Sequence, residues 1–269
     1  MKKILTLIRR CVTISLGWTS ELLGLSSKPK IIVLCYHSVG INNWKYNVQP
    51  AVFEQQINRL LETRQPISVD HLVGYLAGKK KLKSPSFLLT FDDGYANILN
   101  VANYLKTKNI QPCVFLLSDP DNTNRSELGT DLPIATKRDW LKMKTLGWSI
   151  GSHSATHQNF SSLDNNSATQ EIIGSKKTLE STLGMKISYF ALPRGNHSKV
   201  VDKIIRASKY QLCMTMDDNV ITESTNPLAI PRIGIDQTHS LTELKFIDSP
   251  LIIRVRGFLK KMKVSKLYE

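Results

Sequence analysis

Short apolar runs alternate with longer stretches of helical periodicity along most of this chain. The apolar runs, which favour buried strands by their length, lie at Ile31–Tyr36, Phe87–Phe91, Pro112–Leu117, Ile187–Leu192 and Tyr210–Met216. The predicted helices lie at Val52–Thr63, Tyr95–Lys108, Lys137–Leu146, Ala168–Leu183 and Lys199–Ser208. This alternation predicts an α/β fold, and a single α/β barrel fits a chain of 269 residues.

Local signals refine this pattern. Asn109, Gly147 and Gly184 follow predicted helices and indicate where those helices end. Trp140, Met143 and Leu146 recur at helical spacing, which indicates core positions. Residues 118–136 are rich in Asp, Asn and Pro, which predicts a surface loop near the mouth of the active site.

Two adjacent carboxylates follow one of the predicted strands, in Thr90-Phe-Asp-Asp-Gly-Tyr95. Consecutive side chains on a strand point to opposite faces, but Gly94 permits backbone angles that other residues avoid. The strand therefore ends here, and Asp92 and Asp93 can reach one cleft. Carboxylates this close do not both stay ionised without a compensating charge, which a bound dication supplies.

Two histidines lie in Gly151-Ser-His-Ser-Ala-Thr-His157, and the first of them, His153, follows Gly94 by 59 residues. On a helix their four-residue spacing would place both on one face, but the preceding run has two glycines and favours a strand end and a loop. Catalytic metal sites use about three protein ligands and leave a position open for water. Asp93, His153 and His157 make that set, and Asp92 remains for proton transfer. This set suits Zn2+ but admits Co2+, Ni2+, Mn2+ or Fe2+.

The two segments resemble the first two motifs of the polysaccharide deacetylases, the NodB-homology fold of carbohydrate esterase family four. The resemblance extends over residues 31–246. It implies a distorted (β/α) barrel, a divalent metal and hydrolysis of the N-acetyl group of an amino sugar. Carried over by position, Asp92 is the general base, and Asp93, His153 and His157 hold the metal.

Val33-Leu-Cys-Tyr-His37 resembles the Tyr-His strand of the poly-N-acetylglucosamine deacetylase branch, in which circular permutation moves the general-acid histidine to the front of the domain. No Leu-x-His follows the second motif here, which favours that permuted arrangement. The resemblance therefore implies that His37 protonates the leaving amine. The alternative is a core histidine near a strand end.

Two arginines lie in segments that resemble later family motifs. In Phe190-Ala-Leu-Pro-Arg-Gly195, Leu192 and Arg194 replace the usual aromatic residues. The resemblance implies that the Arg194 N–H helps to bind the oxyanion, and its side chain suits a substrate phosphate or carboxylate, or is a solvated arginine on a turn. In Ile230-Pro-Arg-Ile-Gly234, Arg232 is expected to pair with Asp92 and keep it ionised.

The formal net charge of +14 is concentrated at the two ends. Residues 1–30 and residues 250–269 each carry six Lys or Arg and one Glu. We expect a basic amphipathic N-terminal helix (1–28), a deacetylase-like catalytic domain (29–248) and a basic amphipathic C-terminal tail (249–269). The expected apolar faces comprise Ile4, Ile8, Cys11, Trp18, Leu22 and Leu25 at the front, and Leu251, Val255, Phe258 and Met262 at the back.

Such basic amphipathic helices are typical of interfacial membrane anchors, since each basic residue near an anionic bilayer contributes about 1 kcal/mol. The alternatives are a secretory signal, with export to the cell envelope, and a terminal helix packed on the barrel. No small-x-small cleavage site follows the first segment. The four cysteines form no C-x-x-C pair, and buried free thiols favour the cytoplasmic face of a membrane.

The function predicted is therefore the removal, with a divalent metal, of the N-acetyl group from an amino sugar in a cell-envelope glycan or its lipid-linked precursor. One alternative is a deformylase of a lipid-linked amino sugar. Another is a non-catalytic, membrane-associated glycan-binding protein, which the complete set of candidate catalytic residues disfavours. No nucleic-acid-binding motif occurs, so nucleic acid is not an expected partner.

Overall fold

The structure, a computed structural model, describes residues 2–24, 29–196 and 198–261. The strands are β1 (Ile31–Tyr36), β2 (Ser38–Val39), β3 (Asn47–Val48), β4 (Gln65–Pro66), β5 (Ser86–Phe91), β6 (Cys113–Leu116), β7 (Ser149–Ser152), β8 (Tyr189–Ala191), β9 (Leu212–Met214) and β10 (Ile233–Gly234). The α-helices are α1 (Lys2–Leu22), α2 (Pro50–Leu61), α3 (Val69–Leu76), α4 (Ala102–Thr107), α5 (Arg125–Leu128), α6 (Lys137–Thr145), α7 (Asn165–Thr169), α8 (Ser175–Leu183), α9 (Lys199–Ala207), α10 (Leu241–Phe246) and α11 (Pro250–Lys261).

Eight strands form one curled parallel sheet in the order β10-β1-β5-β6-β7-β8-β9, and β4 also pairs with β5. The two edges of this sheet approach each other around Ile230. Its N–H donates to Cys213 O at 2.8 Å on β9, and β10, three residues later, pairs with β1. The result is the distorted (β/α) barrel that the sequence predicts. Because its strands are parallel, their carboxyl ends lie at one edge, where such folds place their sites.

The strands are buried on both faces, which explains why they are continuous apolar runs rather than alternating ones. In β1, Ile32 and Leu34 pack with the helices of the outer layer. Ile31 and Val33 belong to the second core cluster, together with alternate residues of β6, β8 and β9. Helix α3 closes this inner cluster with Val69, Leu72 and Tyr75.

Three elements differ in detail from the sequence-based expectation. The helix expected at Tyr95–Lys108 begins as a 3-10 helix, Ala96–Val101, and ends as α4. A π-helical segment, Gln170–Gly174, separates α7 from α8. The expected loop at 118–136 contains a 3-10 turn and the short helix α5, whose N-cap Asn124 accepts from Ser126 N.

Helix α1 packs on the barrel through its polar face, not its apolar one. Arg9, Thr13 and Ser20 are buried, and Gly17 is so close to Phe246 of α10 that a Cβ would lie 2.2 Å from the ring.

In α11, Ile252 and Ile253 are buried and Phe258 is exposed. The expected apolar positions Leu25 and Met262 lie outside the described residues. Within the described part of the chain, no helix is long and apolar enough to cross a membrane.

Candidate active site

The turn after β5 places both acidic side chains at the carboxyl edge of the sheet. Asp92 still follows the strand, because its N–H donates to Tyr36 O at 2.9 Å. Asp93 and Gly94 then adopt left-handed φ angles of 63° and 69°. A Cβ on Gly94 would lie 2.6 Å from the Leu116 side chain. This turn therefore suits glycine, and it lets two consecutive carboxylates face one cleft.

Asp92 forms a buried bidentate ion pair with Arg232, the residue just before β10. The two guanidinium nitrogens donate to Asp92 Oδ1 at 2.6 Å and Oδ2 at 2.7 Å. Arg232 also donates from Nε to the Thr215 carbonyl at 3.1 Å. Only 3% of Asp92 and 1% of Arg232 is exposed. The pairing expected between these two residues is thus present, with the geometry that makes arginine–carboxylate contacts strong.

Burial alone would raise the pKa of Asp92. The Arg232 charge opposes it and, with His153 and the hydrogen bonds from Arg232, lowers the pKa to about 2. Asp92 is therefore ionised at neutral pH. The Cys35 thiol also donates to Asp92 Oδ2 at 3.3 Å, and burial keeps it protonated by raising its pKa. Sequence reasoning missed this contact, although Cys35 lies two residues before His37.

Asp93, His153 and His157 converge on one point. Asp93 Oδ1 lies 3.3 Å from His153 Nε2 and 3.4 Å from His157 Nε2, and one ligand atom of each residue lies within 4.8 Å of the others. Asp93 Oδ1 is buried without a hydrogen-bond partner among the described residues. Such an orphaned carboxylate oxygen beside two imidazole nitrogens suits a divalent cation, so these residues fit the metal that the sequence predicts.

Protonation of the two imidazoles is consistent with this fit. His153 Nδ1 lies 2.9 Å from the Ala191 carbonyl, an acceptor that assigns the proton to Nδ1 and leaves Nε2 free for a metal. Burial lowers the pKa of His157 to about 4 despite the Asp93 charge, so His157 is neutral at neutral pH. Burial would also lower the pKa of His153, but the Asp92 and Asp93 carboxylates raise it. A cation held by His153 Nε2 requires the neutral form of this ring.

The loop that carries His157 is held by Glu171. Ser154 and His157 have backbone φ angles of 74° and 62°. Residues other than glycine rarely adopt such angles, which therefore need support from the surrounding structure. Glu171 Oε2 accepts from the backbone N–H groups of Ala155 and Thr156, both at 2.9 Å, and Glu171 itself is buried. Sequence reasoning missed this residue. It lies on the π-helical segment, a feature often found at functional sites.

His37 lies beside Asp92 and within a group of aromatic rings. Ligand atoms of His37, Asp92 and Cys35 lie within 4.8 Å of one another. The His37 ring lies 5.1 Å from the Tyr46 ring and 6.0 Å from the Trp44 ring, between centroids. Burial lowers the pKa of His37, although Asp93 and Asp92 oppose this. Trp44 and Tyr46, in the segment between β2 and β3, were also missed, because an aromatic residue in a loop carries no site signal of its own.

Arg194 lies at the rim of the site. Its backbone φ is 58°, in the turn after β8. Its side chain is partly exposed and pairs with the Glu127 carboxylate on α5, and it also donates to the Glu127 carbonyl at 2.8 Å. The guanidinium is near enough to His157 to contribute to lowering its pKa. The side chain is thus neither buried in the catalytic cluster nor freely solvated.

The barrel and its cluster of two acids and two histidines define a hydrolase with a candidate metal centre, and the sequence identifies the family. The profile of the family described as "Polysaccharide deacetylase" matches residues 79–213, half of the chain. The chain therefore belongs to the polysaccharide deacetylase family, whose members hydrolyse the carbon–nitrogen bond of N-acetyl groups. No curated protein sequence matches it significantly.

Solved structures resemble this one across most of their length. The deacetylase PplD of Streptococcus pyogenes, in complex with acetate, superposes with a TM-score of 0.70 and 23% identity over 84% of this chain and 100% of that one. IcaB from Ammonifex degensii superposes with a TM-score of 0.69 and 22% identity, over 78% of this chain and 93% of that one. A de-N-acetylase from Aggregatibacter actinomycetemcomitans superposes with a TM-score of 0.67 and 19% identity, over 78% of this chain and 96% of that one. These similarities establish the fold, including the half-barrel of parallel strands.

Proposed function

We propose that this protein is a metal-dependent N-deacetylase that acts on an amino sugar of a cell-envelope glycan or of its lipid-linked precursor. The observation that carries the proposal is the pair of adjacent carboxylates in different environments. Asp92 is held ionised by Arg232, whereas Asp93 has an unpartnered oxygen that faces two imidazoles. Two carboxylates with separate partners can perform separate roles.

Asp93, His153 and His157 would hold the metal. When bound there, a divalent ion such as zinc lowers the pKa of water towards 7 and polarises the amide carbonyl. The protein supplies two nitrogen ligands and one oxygen ligand, the set found in several catalytic zinc sites. The Glu171 carboxylate holds the loop of His157, and the Ala191 carbonyl holds the His153 ring.

Asp92 would accept the proton from the attacking water. As a general base it must be ionised and close to the reacting atoms, and its carboxylate lies 3.8 Å from His153 Nε2. The ion pair with Arg232 keeps the carboxylate charged at every working pH but also makes it a weaker base. The base role therefore depends on position more than on basicity.

His37 would protonate the departing sugar nitrogen. Its lowered pKa makes the imidazolium a stronger acid, although a smaller fraction carries the proton at neutral pH. The His37 ring packs against Tyr46, and one of its nitrogens lies within 4.8 Å of an Asp92 carboxylate oxygen. This placement is compatible with the permuted arrangement, in which the general acid comes from the strand at the front of the domain. The products are acetate and a free amine, so the glycan gains positive charge.

The substrate class rests on the family and on its solved relatives, one of which is a de-N-acetylase and another a deacetylase in complex with acetate. Arg194 at the rim suits an anionic group such as the phosphate of a lipid carrier. Such a group would have to displace the Glu127 carboxylate, which pairs with the Arg194 guanidinium in this structure. Because Arg194 suits a phosphate, we propose that the substrate is either the finished glycan or its lipid-linked precursor at the cytoplasmic face of the membrane.

The test is acyl release from polymeric, oligomeric and lipid-linked N-acetyl amino sugars, with N-formyl analogues in parallel. The protein is stripped of metal, reloaded with Zn2+ and compared with Asp92→Asn. We expect acetate release only by the reloaded wild type. Asp92→Asn should bind zinc with the same stoichiometry and lose activity by a factor of about 10² to 10⁴, the usual contribution of a general base.

Preferential release of formate would support the deformylase instead. No release from any substrate, with zinc bound in a one-to-one ratio, would contradict the enzymatic proposal and favour a glycan-binding role. Full activity in Asp92→Asn would refute the base assignment alone, since the metal residues are unchanged in that variant.

A further inference from the structure

Helix α1 is turned the opposite way from an ordinary surface helix. The side towards the protein body carries Arg9, Thr13, Gly17 and Ser20, all of them buried. A helix at the surface of a soluble protein buries its apolar stripe and exposes its polar one. Here the polar and small residues are inside, so the apolar stripe faces outwards.

The outward stripe is continuous. Positions 4, 8, 11, 15, 18 and 22 follow one another at steps of three and four residues, which places them on one helical face. All but position 15, a serine, are apolar. The exposed fractions are 63% for Ile4, 43% for Ile8, 55% for Trp18 and 88% for Leu22, and Leu7, which borders the stripe, is 61% exposed. Large apolar side chains exposed together mark an interaction surface.

Polar contacts fix this orientation. Arg9 Nε donates to Glu243 Oε1 at 3.1 Å, and Arg9 also donates to the Thr238 carbonyl at 3.0 Å. Glu243 is buried, and its carboxylate also accepts from Ser240 N at 2.9 Å in the capping box of α10. Rotation of α1 that hid the apolar stripe would pull Arg9 away and leave the Glu243 charge buried without its partner, which is strongly unfavourable.

The charges around the stripe select its occupant. Residues 1–30 carry six basic side chains and a single acid, Glu21, which pairs with Lys245 at 3.0 Å. The Arg10 side chain is partly exposed and is held at the side of the helix, where it lies 3.4 Å from the Glu243 carboxylate and donates to the Thr238 carbonyl. Trp18 lies on the stripe, edge-on to Phe246, and tryptophan is enriched where lipid headgroups meet hydrocarbon. A basic helix with an exposed apolar stripe and a tryptophan matches an anionic lipid surface.

We propose that the outward face of α1 inserts into the interface of an anionic bilayer and holds the protein on the membrane as a rigid, peripheral anchor. The helix lies in the plane of the membrane, with Ile4, Leu7 and Leu22 among the acyl chains. Arg9 and Glu243 remain in the protein body. This anchoring does not depend on deacetylation and can be measured without a substrate.

The experiment is flotation of the full chain with vesicles of phosphatidylcholine containing about one third phosphatidylglycerol, an amount that gives a clearly negative surface. The double variant Leu7→Glu/Leu22→Glu is compared with the wild type. The matched control is Leu141→Glu, which places the same charge on an exposed leucine of α6, far along the chain. We expect the double variant to lose binding at least tenfold and the control to bind as the wild type does.

A second measurement adds no charge to the stripe. Brominated lipids should quench the fluorescence of the wild type, and Trp18→Phe should remove most of that quenching. Of the other tryptophans, Trp140 and Trp148 are buried, and Trp44 is half-buried beside His37 in the active site. Absence of vesicle binding by the wild type would overturn the proposal. So would equal binding by the double variant, or a wild-type dimer that the double variant converts to monomers without any lipid binding, since a second copy would then cover the stripe.

Discussion

Replacement of Arg232 by methionine tests how Asp92 is kept ionised. Methionine is an unbranched but shorter side chain, and the change removes the charge and the two hydrogen bonds that Arg232 donates to Asp92. In the wild type the pKa of Asp92 falls from an ordinary value of 3.8 to about 2 because Arg232 outweighs burial. In Arg232→Met only His153 and His37 still oppose the effect of burial, so the pKa of Asp92 should rise.

The magnitude follows from this shift. Each pKa unit corresponds to about 1.4 kcal/mol, so the fall of the Asp92 pKa from 3.8 to about 2 represents about 2.5 kcal/mol of stability. A carboxyl group whose pKa is lower in the folded state than in the unfolded state stabilises the folded protein when it is ionised. The stability is fully present above pH 4 and is lost as the pH falls through the folded-state pKa of about 2. The variant must lose more than this, since burial now opposes the charge, and we expect about 3–5 kcal/mol.

Two assays on the zinc-loaded protein measure the change. Urea unfolding at pH 7 gives the stability, and the pH dependence of kcat/KM for acetate release gives the titration of the free enzyme. We expect the acid limb of kcat/KM to move to higher pH in Arg232→Met and to return most of the way in Arg232→Lys, which restores the charge. An unchanged acid limb with a stability loss below about 1 kcal/mol would refute the reasoning.

Three further predictions concern neighbouring features. Glu171→Gln should lower zinc affinity about 10- to 100-fold by loosening the loop of His157, which competition with a chelator measures; unchanged affinity would show that Glu171 is not needed for positioning. Tyr46→Ala should lower kcat with little effect on zinc stoichiometry, because the ring packs on His37, whereas a change in KM alone would indicate a substrate contact instead. Glu243→Ala should destabilise the protein by about 3–5 kcal/mol in urea, because it leaves Arg9 buried without its counterion; a loss below about 1 kcal/mol would show that α1 is held by its other contacts.

The order of elements and the candidate residues could be predicted from local patterns. Apolar runs indicated β1, β5, β6, β8 and β9 but not β7, because strands buried on both faces are mostly apolar throughout. Gly94 and Gly184 indicated the turn after β5 and the end of α8, where φ is 69° and 57°, since positive φ favours glycine. The chemistry of Asp92, Asp93, His153 and His157 is carried by residue type and spacing, which the chain displays directly.

Contacts between distant parts of the chain could not be predicted in the same way. Glu171 and the Trp44–Tyr46 pair support the site through packing and hydrogen bonds that leave no local pattern. The amphipathic pattern of α1 was visible in the sequence, but which face packs inwards was not. A helical pattern defines two faces and does not say which one meets the protein. Arg9 pairs with a buried carboxylate 234 residues away. This contact, together with the Arg9 hydrogen bond to Thr238 and the packing of Gly17 on Phe246, leaves the apolar face outwards.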